Sequence, residues 1–77
     1  MNNEIFLKDE YITIGQLLKK IGLIDTGGQA KAYLISTKIL INDKKPKGRS
    51  AKVKIGDIVW VNNKVFVIKK LENQYEK

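Results

Sequence analysis

The chain has 77 residues without a cysteine or a histidine, which excludes disulfide staples, thiolate metal sites and the commonest general base. Lys+Arg 15 against Asp+Glu 8 leaves a formal charge of +7, the sign that suits a polyanionic partner. No apolar run approaches the roughly 18 residues of a membrane span, and one domain of this length buries only roughly 60% of its unfolded surface.

In chain order, Ile5 to Leu7 reads as a short strand, followed by a polar turn at Asp9-Glu10. Thr13 and Gln16 stand at capping-box spacing, so a helix is predicted to start there. Ile14, Leu17, Leu18 and Ile21 fall at i, i+3, i+4 and i+7, a single apolar stripe. Gly22 is placed for a left-handed helix end, with Leu23 folding back onto the last turn. Thr26 and Gln29 repeat the capping-box spacing and predict a second helix over 27–36 that buries Ala30, Tyr33 and Leu34. The short link 22–25 makes the pair a tight helical corner.

From Lys38 the apolar period changes to two. Lys38 to Asn42 reads as a strand, Asn42-Asp43 as a turn, and Pro46, Gly48 and Ser50 keep the following segment irregular. Lys52 to Ile55 is a second strand with lysines on one face. After a turn at Gly56-Asp57, the segments 58–61 and 64–68 flank Asn62-Asn63 as a two-residue hairpin. The layout is α+β, two short helices packed on a small, mainly antiparallel sheet. Residues 1–70 are expected to form one domain and residues 71–77 a flexible tail. Trp60, between valines, and Tyr33, on the apolar side of its helix, are expected to be core or half-buried residues rather than base-stacking platforms.

The charge is not evenly spread. Residues 26–54 hold Lys31, Lys38, Lys44, Lys45, Lys47, Arg49, Lys52 and Lys54 against Asp43 alone, a net +7, while the remainder has seven lysines against seven acids. Phosphate binding is the natural use of such asymmetry, because each neutralised phosphate releases condensed counterions. Within that region Thr26, Gly27, Gly28 and Gln29 sit at a predicted helix start, where orphan N–H groups favour anions and glycine permits close approach. The same four residues equally suit plain capping and close helix packing. The lysine-over-arginine bias reflects an AT-rich genome, with Arg49 alone offering a bidentate grip.

The order of motifs from Thr13 to Val59 resembles the S-four type RNA-binding domain. The stretches that carry the resemblance are Ile14-Gly15-Gln16-Leu17-Leu18, Gly22-Leu23, Gln29-Ala30-Lys31, Ile39-Leu40-Ile41-Asn42-Asp43 and Val53-Lys54-Ile55-Gly56-Asp57. Gly27 stands where that family often has an arginine, and Asp43 where glycine follows asparagine. Both departures, with the short stand-alone length, are similar to its YaaA-like branch. The resemblance implies a bacterial α-L RNA-binding motif, made by two helices and the following strand, with Lys31, Lys38, Arg49 and Lys52 as phosphate contacts. It further implies a role in ribosome assembly or translation, on ribosomal RNA or a ribosomal subunit.

The expected protein is a monomeric, cytoplasmic, non-enzymatic binder of structured RNA. No catalytic residue, metal, cofactor, membrane or small-molecule substrate is expected. Asp9, Glu10, Asp25 and Asp57 are scattered over turns and caps, where structural roles suffice. Two alternatives remain: a module docking an acidic protein, and a duplex-DNA binder using the helical corner as a helix-turn-helix.

Overall fold

A computed structural model of the protein describes residues 2–71. Its elements run β1 (Asn2–Leu7), β2 (Tyr11–Thr13), α1 (Ile14–Lys20), α2 (Gly28–Ser36), β3 (Ile39–Ile41), β4 (Lys52–Lys54), β5 (Ile58–Val61) and β6 (Lys64–Lys70). The main sheet has the order β1-β6-β5-β3. Its β6–β5 and β5–β3 pairs are antiparallel, whereas β1 lies parallel to β6, with Asn2 beside Val65 and Leu7 beside Lys70. The sheet is therefore mixed, which hairpin signals in the sequence do not reveal.

β4 does not join this sheet. It pairs antiparallel with β2, Thr13 opposite Lys52, in a separate two-stranded ribbon. Thr13 is both the last residue of β2 and the N-cap of α1, so the ribbon fixes where that helix starts. The cap is the full box: the Gln16 N–H donates to Thr13 Oγ1 at 3.2 Å and the Thr13 N–H to Gln16 Oε1 at 3.0 Å. At the other end Gly22 takes φ +83°, and the Leu23 N–H reaches Leu18 O at 2.9 Å. The Gly22 N–H reaches Lys19 O at 3.0 Å, which completes a Schellman closure.

The core lies between the helices and one face of the sheet. Ile14, Leu17, Leu18 and Ala30 come from the helices, and Ile39, Val59, Val61, Phe66 and Ile68 from the sheet, joined by Leu7, Ile24 and Val53. Tyr33 and Leu34 pack half-buried against this cluster, as the helix stripe predicts. Trp60 does not. Val59 and Val61 take the inward positions on β5, so period-two geometry turns Trp60 to the outer face, where it stays 38% exposed. Apolar neighbours on both sides in sequence thus marked a strand, not a buried indole.

Two asparagines tie β3 to β5. Asn42 and Asn62 have φ of 51° and 55°, in the left-handed region that asparagine tolerates better than most residues. The Ile58 N–H donates to Asn42 Oδ1 at 2.9 Å, and the Lys38 N–H to Asn62 Oδ1 at 3.3 Å. Asp43 follows at φ 71°, and the Ile41 N–H donates to Lys44 O at 2.7 Å across the turn. Two successive positive φ values are what a type I′ turn needs, so Asp43 does here what glycine does more easily. Of the expected tail, Leu71 donates its N–H to Leu7 O at 2.8 Å. Residues 72–77 lie outside the described residues.

Candidate nucleic-acid interface

The basic segment between β3 and β4 is held against both helix starts. The first two free N–H groups of α1 point into it: Ile14 N–H donates to Ala51 O at 2.8 Å and Gly15 N–H to Arg49 O at 2.9 Å. These are donors the helix cannot satisfy internally, and the loop carbonyls meet them. The Arg49 side chain then crosses to α2, where Nη1 donates to Gly27 O at 2.8 Å. One residue thereby bonds to the N-terminal ends of both helices, through its carbonyl to α1 and its guanidinium to α2.

Gly15 makes that closeness possible. A Cβ there would stand 3.2 Å from Arg49 O, 3.3 Å from Arg49 Cβ and 3.6 Å from the Ala30 methyl. Branched atoms beyond such a Cβ have nowhere to go without moving loop or helix. Gly15→Val is expected to cost about 1–3 kcal/mol by overpacking, a thermal midpoint lowered by roughly 10 °C in a domain of this size. Scanning calorimetry checks it.

The start of α2 differs from the sequence expectation. Gly27 already has helical angles, φ −61° and ψ −27°, and no side chain caps the helix. Only half of the expected box forms: Gln29 Oε1 accepts from Asp25 N–H at 2.6 Å and from Thr26 N–H at 3.1 Å. The Thr26 hydroxyl does not cap because the turn begins one residue early, with the Gln29 N–H donating to Thr26 O at 3.1 Å. Arg49 Nη1 lies 3.3 Å from where a Gly27 Cβ would be. The guanidinium therefore occupies the space that a longer residue at position 27 would fill.

Two adjoining grooves flank the basic loop. The first, about 640 Å³, runs between α2 and the loop and is lined by Gly28, Lys31, Lys45, Lys47, Gly48 and Arg49, with Leu34, Ile35 and Pro46. The second, about 520 Å³, lies on the loop's other side and brings Lys44 and Lys52 to Lys45 and Lys47. Six of the eight basic residues of 26–54 thus share two neighbouring grooves. Lys38 and Lys54 line neither. The Lys38 backbone joins the Asn62 turn, and Lys54 sits opposite Tyr11 on the ribbon.

Lys52 Nζ lies 4.7 Å above the Tyr11 ring, a cation–π contact that steers the ammonium along the ribbon. Asp57 is structural, its Oδ2 accepting from Lys54 N–H at 2.8 Å. No polar or charged side chain among the described residues is buried. Among those residues no cluster of three His, Cys, Asp or Glu is placed to hold a metal, and no helix is long and apolar enough to cross a membrane.

Leu34, Ile35 and Pro46 were not among the sequence-predicted site residues. A signal for Ile35 was present: Ala30, Tyr33 and Leu34 complete the helix stripe, and Ile35 falls a further 100° round, off that stripe. It is 77% exposed.

Residues 5–69 match a family model described as S4 domain. The chain is also 41% identical over 61 residues to the probable ribosome maturation protein RlbA of Bacillus subtilis (strain 168), covering 79% of this chain and 86% of that one. No solved structure matches it. A family model spanning most of the chain, a helical corner packed on a mixed sheet and a relative matched over most of its length agree: this protein belongs to the S4 domain family.

Proposed function

We propose that this protein is a non-enzymatic binder of structured RNA, acting as a cytoplasmic monomer on ribosomal RNA during ribosome maturation. The observation that carries the reading is the pair of grooves around the loop 44–52, lined by six basic residues against one acid, Asp57. Membership of the S4 domain family and the similarity to a ribosome maturation protein support the same reading.

Mechanistically, the loop offers flexible ammonium groups from Lys44, Lys45, Lys47 and Lys52 to phosphates. The Arg49 guanidinium is pre-oriented by its bond to Gly27 O. A guanidinium has five N–H donors, so that bond leaves four for an anion. Recognition then follows the shape and backbone of a folded RNA, since the A-form major groove is too deep and narrow for side chains to read and duplex contacts fall mostly on phosphates and 2′-hydroxyls. A helix-turn-helix reading is weakened at α2, where Gln29 Oε1 is engaged by the backbone N–H groups of Asp25 and Thr26. That leaves the helix short of the long polar side chains a recognition helix presents.

Salt titration tests the electrostatic core of this proposal. With about five phosphates engaged, the log–log slope of affinity against salt should lie between about −3.5 and −4.5. A flat response would sink it. Crosslinking and sequencing of bound RNA from cells should enrich one ribosomal RNA element; a diffuse background would remove the ribosomal assignment.

A further inference from the structure

The groove between α2 and the loop is not built for phosphates alone. Its rim is cationic, from Lys31, Lys45, Lys47 and Arg49, and no acidic residue among the described residues lines it. Its floor is apolar. Leu34 is half-buried, and Ile35 at 77% exposure is the most open of the large exposed hydrophobic side chains. Phosphate oxygens gain nothing from an isoleucine, whereas a flat apolar group laid on it removes that surface from water.

Two glycines point the same way. Gly28 and Gly48 both line this groove. Neither has the positive φ seen at Gly22 and Gly56. A Cβ at Gly48 would meet nothing within 4 Å, and one at Gly28 only Thr26 Oγ1 at 3.8 Å. The contrast with Gly15 is sharp, because there the protein's own packing requires glycine. At Gly28 and Gly48 neither backbone conformation nor internal packing does, and what their bare backbones leave open is the groove. Glycine is the residue that lets a ligand approach a backbone closely.

We propose that this groove receives one unpaired nucleobase of the bound RNA, seated on Ile35, Leu34 and Pro46, with its flanking phosphates on Lys31, Lys47 and Arg49. The inference rests on the RNA-binding reading above and adds a base-recognition step to it. Charge selects the occupant: a neutral apolar peptide would suit the floor and waste the rim, and a fully paired helix would suit the rim and waste the floor. An unstacked nucleotide has both a π-face and adjacent phosphates.

The test uses three RNA hairpins of equal stem: fully paired, with one bulged adenosine, and with the same bulge made abasic. Binding to the full-length protein is read by fluorescence anisotropy at fixed salt. The bulged hairpin should bind roughly tenfold tighter than the paired one, as stacking of a single base warrants, and the abasic bulge should lose that gain. Equal affinity for the bulged and abasic hairpins overturns the proposal, whatever any variant does.

Gly48→Leu, whose Cβ would stand in open space beside the groove, should abolish the preference for the bulged over the paired hairpin while holding the melting temperature. Ile35→Ser should reduce the preference in the same way. A preference that survives both substitutions would place the base elsewhere and overturn the assignment. Failure of all three hairpins to bind the unaltered protein would instead remove the RNA-binding reading itself.

Discussion

Replacing Lys31, Lys45 and Lys47 together with alanine should weaken RNA binding roughly a hundredfold at 0.15 M salt and flatten the salt slope by about 2 to 3 units. The magnitude follows from counterion release. Each phosphate contact contributes a slope of about 0.7–0.9, so between 1 M and 0.15 M salt it is worth a factor of about four to five, and three contacts multiply to roughly one hundred. These three lysines are chosen because each lines the groove against α2 and none lies in the core. Arg49 is left in place, since its guanidinium also holds Gly27 O and its loss would disturb the start of α2. Anisotropy titrations at several salt concentrations, with circular dichroism to confirm folding, measure both quantities. An unchanged slope would show that the three lysines are bystanders.

Leu18→Ala should be severe for a different reason. Leu18 is fully buried within α1, and a leucine-to-alanine truncation in a core costs about 2–5 kcal/mol. A domain of this length has only about 4–12 kcal/mol of total stability, so the loss is a large share of what exists. The thermal midpoint should fall by at least about 8 °C, taking the low end of both ranges. Urea unfolding should show a lower midpoint with an unchanged slope, the sign that stability fell while the cooperative unit stayed intact.

The contrast between these two substitutions mirrors what the sequence makes legible. Signals confined to a few neighbouring residues read cleanly: the Thr13–Gln16 box, the Gly22 helix end, and the β5–β6 hairpin across Asn62-Asn63 all form as their spacing requires. Each closes within one turn, and at these three places the surrounding fold agrees with the local signal.

Where a distant partner decides, the sequence is mute or misleading. β2 is three residues long and exists because β4, some forty positions on, pairs with it. The Thr26 cap looked as sound as the one at Thr13, but Gly27 entered helical geometry early and Arg49 took the space beside it. The charge excess of 26–54 was legible as a bulk quantity. Its division among two grooves, with Lys38 and Lys54 outside both, needed the path of the loop. The groove floor was hidden for the same reason: Ile35 acquires a wall only when Pro46 and its neighbours fold beside it.

The parallel pairing of β1 with β6 also sets an order of events during synthesis. Among the described residues β1 has one sheet neighbour, β6, about 60 residues later, so it stays unpaired while the segment between them is translated. At about 5–20 residues per second, that wait is roughly 3–12 s. Local helix and hairpin formation takes microseconds, so the making of β6, and not those local steps, sets when the sheet can close. Until β6 is made, β1 is therefore a strand with an unpaired edge, and that interval is when the chain is most open to pairing with a neighbour.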